Sequence, residues 1–472
     1  MPRLYQTFGV LSAAAAAFAL MQSLVTPVLP TIQHDLHTDT GTVTWVLTAW
    51  LLAASVATPL MGRIADMIGK DRALLVALGS IAVGCLVAAI APTIGVLIAA
   101  RVLQGLGGAI FPVSFGIIRD EFPAHRVTSA VGVMAAVIAT GSGLGIVLAG
   151  PIVGVLSWRW LFWIPMVVVT LVGVAAKFVI PASPVRSPGR VNWLPAVLLS
   201  GWLVALLLPL SKATVWGWGS GRTLGLLGLA VVLLIAWFAA ELRSTNPLID
   251  MRMMRLPAVW TTNVVALLFG ASMFGVFAFL PQLMQVPRSS GYGFGASVTQ
   301  AGLLMLPMMV TMAAAGSLSG PLARWISGKV QLVTGSALAA LACFSLATAH
   351  ADKAMVALAG GVFGIGLGLV YSSLISLIVQ SVPMHQTGVA SGMNTNIRTL
   401  GASIGTAIVS AIISAHPTAS GLPAESGYTV SFLVLAVVAV AAIGVALLVP
   451  TARRTRKPEP VQALPELTPV EI

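Results

Sequence analysis

Apolar residues in this chain come in long runs, and nearly all of its charges fall in the short polar stretches between them. The runs show neither the strict alternation of a half-buried strand nor the one-sided stripe of a helix lying on a soluble core. An α-helix rises 1.5 Å per residue, so about 20 consecutive apolar residues span the hydrocarbon of a bilayer. The pattern predicts fourteen membrane-spanning helices near 8–29, 44–61, 74–92, 95–117, 129–152, 159–179, 194–211, 223–241, 258–281, 297–319, 331–349, 354–379, 387–414 and 429–449. The expected fold class is an all-α polytopic membrane protein, with no sign of a barrel.

The runs also repeat. The stretch after the second reads GRIADMIGKDR from Gly62, and the stretch after the tenth reads GPLARWISGK from Gly320, with Arg324 where Asp66 stood. Spans 2–3 and 10–11 therefore correspond with an offset of eight. Two six-helix bundles with two inserted helices explain that offset. The expected organisation is a first bundle over 1–181, an inserted pair with its flanking loops over 182–254, a second bundle over 255–450, and a cytoplasmic tail over 451–472. Parallel halves of this kind are a transporter device, because each can rock against the other around a site at the midplane.

Composition narrows the class. Charged residues make up 8% of the 472 positions and hydrophobic ones 58%, whereas a soluble chain carries roughly a quarter charged residues. The formal net charge of +12 would suit a nucleic-acid binder if the cations clustered, but they lie singly or in small groups between spans. With the N-terminus inside, 18 Lys and Arg fall in inner segments and five in outer ones. This bias predicts a multi-pass membrane protein with both termini in the cytoplasm. Met1 to Arg3 ahead of the first run resembles a signal peptide, but thirteen further spans favour an uncleaved helix. Cys85 and Cys343 each sit inside an apolar run and suggest neither a disulfide nor a metal site.

At this point the chain resembles the major facilitator superfamily, and within it the fourteen-helix drug:proton antiporters of multidrug efflux. Gly62, Ala65, Asp66, Gly69 and Lys70 match the family's loop 2–3 signature, and Arg101, Gln104, Gly105 and Gly107 match its helix 4 signature. Helix 5 ends Gly150-Pro151-x-x-Gly154, a partial match to the antiporter signature in which Val155 replaces a second terminal glycine. One departure concerns helix 1. Its stretch LMQSLVTPVLP from Leu20 carries Met21 where the family usually has an aspartate.

Each candidate has two readings. Asp66 can meet the N-terminus of a neighbouring helix and complement its dipole, or it is a solvated loop carboxylate. With Gly62, Gly69 and Lys70 it forms the expected inner gate, and Gly150, Pro151 and Gly154 are expected to shape the gate through a bend in helix 5. The pairs Gly141/Gly145 and Gly150/Gly154 also fit close helix packing. An arginine within a span faces the bundle interior or a watery cavity. Arg101, with Gln104 on the same face, is either a coupling residue, as the resemblance implies, or a structural cation bonding carbonyls. Asn394, Arg398, Gly401 and Gly405 form one stripe of helix 13, in which polar cavity lining and glycine packing both find a place. Gln22 and Thr26 form a smaller i, i+4 pair on helix 1.

The expected function is secondary active export of small amphipathic compounds by alternating access, coupled to protons, with an importer or a metabolite or lipid transporter as the alternative on the same fold. All thirteen acidic residues fall in loops, at span ends or in the tail, so Arg101 and Arg398 are the only deep charges. Neutral or weakly acidic substrates are therefore favoured over permanent cations. No cofactor, metal, nucleic acid or ATP is expected. There is no phosphate-binding loop motif, and Gly401-Ala402-Ser403-Ile404-Gly405 lies inside a span, where no nucleophile elbow forms. A membrane enzyme would need a convergent nucleophile, base or metal set within the spans, and none is visible.

Overall fold

A computed structural model describes residues 2–183, 192–244, 247, 249–383, 386–415 and 423–450, and all that follows concerns these. The runs fold as helices α1 (Pro2–Leu24), α2 (Trp45–Ile68), α3 (Lys70–Ala89), α4 (Ile94–Glu121), α5 (Ala124–Val155), α6 (Trp160–Val179), α7 (Trp193–Trp216) and α8 (Gly221–Arg243). They continue with α9 (Pro257–Gln285), α10 (Val298–Leu304 and Leu306–Leu322), α11 (Gly328–Thr348), α12 (Lys353–Ser381), α13 (Thr387–Ser414) and α14 (Glu425–Leu448). Many starts are written in the sequence. Thr93, Asn192, Ser220, Ser297, Ser327 and Asp352 each cap the first turn of the helix that follows by accepting a backbone N–H.

Thirteen of these helices are long and apolar enough to cross a bilayer. The tenth run, expected as one continuous span, is broken at Met305. Pro307 has no N–H to give the carbonyl of Leu303, so the ladder is interrupted there. The first run spans Leu4–Val28, close to expectation, but its last turn is not α-helical. Helix α1 stops at Leu24 and a 3₁₀ turn, Thr26–Val28, completes the span, where Pro27 has no N–H to give the carbonyl of Ser23.

Two charged stretches expected as loops are helical. Gly62 to Ile68 complete α2, and the connection to α3 shrinks to Gly69, whose φ of 108° a side chain would not tolerate. Arg119, Asp120 and Glu121 likewise belong to the last turn of α4. Polar composition placed these loops, but helices end where the backbone breaks, and here that is at Gly69 and, just after Phe122, at Pro123.

The offset of eight reappears in the packing. In the first bundle α1 packs on α5 and α6, α3 on α4 and α6, and α2 on α4. In the second α9 packs on α13 and α14, α11 on α12 and α14, and α10 on α12. The bundles meet along two seams that are themselves counterparts, α2 against α13 and α10 against α5. The inserted helices α7 and α8 pack on each other, and α7 touches both α2 and α13. Its Leu199, Trp202 and Leu203 share a core with Val389 and Met393 of α13, while Lys212 near its far end donates to Thr44 Oγ1 and lies 5.1 Å from the ring centre of Trp45. At the other seam, α1, α5, α6 and α10 border an open groove of about 540 Å³ lined by Ala13, Leu20, Val137, Gly141, Val168 and Ala313.

Candidate functional site

The two bundles are fastened at the end where α2 finishes and α13 begins. Gly62 and Gly388 allow this approach, since a Cβ on Gly62 would lie 2.8 Å from the carbonyl oxygen of Gly388. Asp66 stands one turn further along α2. It is 1% exposed, and its Oδ2 accepts the N–H of Val389 at 3.2 Å in the first turn of α13. The solvated-loop reading of Asp66 is thus excluded, and its negative charge faces the positive end of the α13 dipole.

Arg119 makes the complementary contact. Its Nη2 donates to the carbonyl of Val382 at 2.6 Å and its Nη1 to Thr387 Oγ1 at 2.6 Å. A cation from the first bundle therefore meets the C-terminal end of α12, while an anion meets the N-terminal start of α13. Lys70, 1% exposed, pairs with Asp120 at 2.6 Å and ties the start of α3 to the end of α4 behind this contact. At the other seam Gly132 lies against Gly316 and Ser129 against Gly320. Arg324, the counterpart of Asp66, is exposed there. Among the described residues the charged fastening lies at one seam only.

Arg101 is wholly enclosed, at 0% exposure. Its Nε donates to the carbonyl of Val46 at 3.1 Å, its Nη1 to Gln104 Oε1 at 2.7 Å, and its guanidinium lies 5.4 Å from the ring centre of Trp50. Gln104 Nε2 reaches Cys85 Sγ at 3.5 Å, and Cys85 donates to Met21 Sδ at 3.4 Å. A buried chain thus runs from Arg101 on α4 to Met21 on α1, ending in a thioether.

Arg398 lies about 16 Å into α13 at 1.5 Å per residue. Its guanidinium carbon is 4.4 Å from the ring centre of Tyr371 on α12. Asn394, one turn earlier, donates to Asn263 Oδ1 of α9 at 2.9 Å. The glycines of this stripe serve packing: Gly401 and Gly405 lie directly against Leu267 and Ala271 of α9.

Other expected positions are not brought to the site. Gly141 and Gly145 pack against Ala16 and Leu20 of α1, but Gly150 and Gly154 have open space where a Cβ would go. The close approach expected of that second pair is absent, and Pro151 between them is exposed. Gln22 is half-buried on α1, whereas Thr26 is exposed beyond the helix end, so the i, i+4 pair does not form. The sequence reading missed Arg119 and Asp120, which it placed in a loop, and Tyr371, Asn263 and Trp50. A faint signal existed for Tyr371, since the chain has only four tyrosines and this one interrupts a long apolar run.

With this geometry in hand, comparison with known proteins gives a consistent picture. The model of the Major Facilitator Superfamily matches residues 11–406. The tetracenomycin C resistance and export protein of Streptomyces glaucescens is 29% identical over 406 residues, covering 85% of this chain and 74% of that protein. The cephamycin export protein CmcT of Amycolatopsis lactamdurans is 30% identical over 477 residues, covering 97% of this chain and 96% of that one. Among solved structures, the human organic anion transporter MFSD10 (TETRAN) superposes with a TM-score of 0.70 at 16% identity over 94% of this chain and 100% of that one, a likeness of fold.

Proposed function

The chain belongs to the major facilitator superfamily, and from that footing we propose that it is a secondary active exporter of small amphipathic compounds, of the drug and antibiotic efflux type. The observation that carries this reading is the near full-length match to an antibiotic export protein, 97% of this chain against 96% of that relative. The two-bundle architecture with paired seams supplies the means, since alternating access needs two bodies that part at one end as they close at the other.

In this reading the membrane is a bacterial inner membrane, both termini are cytoplasmic and the fastened end faces the cytoplasm. Gly62, Asp66, Gly69 and Lys70 form the inner gate together with Arg119. The charge–dipole contact of Asp66 is worth about 1 kcal/mol or somewhat more when buried, enough to bias a gate without locking it. Substrates are neutral or weakly acidic, because the deep groups are cationic and none of the ion pairs among the described residues involves Arg101 or Arg398. Protons drive export, through Asp66 and the arginines or as a proton carried on the substrate.

The test is accumulation of a fluorescent amphipathic compound in cells with and without the protein, each with and without an uncoupler. Expression is expected to lower accumulation, and the uncoupler to abolish the difference. No effect of expression would sink export. An uncoupler-insensitive difference would sink proton coupling alone.

A further inference from the structure

The two deep arginines differ in what the protein gives them. Arg101 has a carbonyl, an amide oxygen and an indole around it, and no exposed surface. Its Nε and Nη1 donate within its own bundle, and only Nη2 meets no acceptor among the described residues. Arg398 is 6% exposed, and among the described residues none of its N–H donors meets an acceptor. Its one recorded partner is the face of Tyr371.

That partner leaves a specific demand unmet. A ring beneath a guanidinium satisfies the positive charge from one face but accepts nothing from the N–H groups, which lie in the guanidinium plane. Burying such donors without acceptors is strongly unfavourable, so the site calls for oxygen acceptors from outside the chain. The fork of parallel N–H groups matches two oxygens on one atom, the geometry of a carboxylate or sulfonate. The contact with Tyr371, itself 6.3 Å from Phe269 in an edge-on contact, places an aromatic wall beside the fork. One turn away the Asn394 amide donates to Asn263 Oδ1, and this pair adds no charge.

We propose that Arg398, held against the ring of Tyr371, is the docking point for an ionised acid group on an otherwise apolar substrate, and that Arg101 makes no direct contact with that group. The role rests on the transport reading for the word substrate, but binding can be measured without transport.

Purified protein in lipid nanodiscs would be titrated with pyrenebutyrate, its methyl ester and a trimethylammonium analogue of the same pyrene chain, with signal from protein-free nanodiscs subtracted. Wild-type protein is expected to bind the carboxylate about tenfold or more tighter than the ester, as charge-assisted hydrogen bonds imply, and the quaternary cation most weakly. Lowering the pH until the carboxylate protonates should erase the preference for acid over ester. Arg398→Gln should bring the acid down to the affinity of the ester while leaving the ester unchanged, and Arg398→Lys should keep part of the preference. Arg101→Gln should leave the ratio of the two affinities intact. Equal wild-type binding of acid and ester, or a ratio that survives Arg398→Gln, would overturn the proposal. Should Arg398→Gln fail to fold, the wild-type ratio and Tyr371→Leu, expected to shrink it, decide instead. A clear acid preference without export in cells would leave this inference standing and remove the transport reading, and the reverse result would remove this inference alone.

Discussion

Asp66 and Arg119 each touch the end of a helix, and the sign of each charge suits the end that it meets. Asp66→Asn keeps the size of the side chain and an acceptor oxygen but removes the charge. It should weaken the closed gate by about 1 kcal/mol, a shift of roughly fivefold in the gating equilibrium, so turnover falls while substrate affinity holds. Transport rates set beside equilibrium binding would check this, and loss of affinity with normal turnover would count against it. Met21 offers a gain-of-function counterpart. Met21→Asp places a carboxylate on the chain through Cys85 and Gln104 to Arg101. Protein shown by thermal unfolding to be folded should then bind a quaternary ammonium dye several-fold tighter than the parent, and unchanged affinity would show that this position does not reach the substrate. At this scale the charged residues inside apolar runs were legible, because a charge in a span has few harmless explanations. Tyr371 and Asn263 were not, since each acquires meaning only from a partner more than 25 residues away, Arg398 in one case and Asn394 in the other.

Helices rather than side chains set the spacing of the closed end. A Cβ at Gly62 would meet the backbone of Gly388, which cannot rotate away as a side chain could. Gly62→Val should therefore push α2 and α13 apart and favour the state in which this end is open. Its signature would be faster thiol labelling of Ser391→Cys, against a low background because Cys85 and Cys343 are fully buried. Unchanged labelling and unchanged turnover would mean that the contact is incidental. Removing one partner of the Lys70–Asp120 pair, as in Lys70→Met, should cost about 3–5 kcal/mol, because a buried charge is left alone, and would appear as a lower unfolding temperature. Element number and order were readable from hydropathy, while their ends were less so. The reading stopped α2 and α4 at the first charges, yet both helices run on to carry those charges into a protein interface. The break in α10 was written as Pro307, but a proline within a span is common enough that hydropathy alone passes over it.

For the whole molecule, an echo between Gly62 and Gly320 implies an offset of eight helices, and the strong packing pairs among the first six helices recur among the last six. Orientation remains a matter of charge, and it can be checked directly. A reporter fused after Arg190 or Arg255 should read cytoplasmic, and one fused after Gly291 external; the opposite result at any of the three would remove the fourteen-span arrangement.

The inserted pair breaks the symmetry that the repeat imposes. With α7 laid across α2 and α13, one flank of the molecule is walled off from the surrounding lipid, while the α5–α10 flank keeps its groove open. A lipid-dissolved compound drifting in the plane of the membrane therefore meets a transporter with a front and a back. Bulk added in the groove, as in Ala313→Trp, should slow the pumping of membrane-partitioning compounds far more than that of water-soluble ones. The same bulk on the outer surface of α8, as in Val231→Trp, should slow neither, so the direction of approach would be set by the two inserted helices.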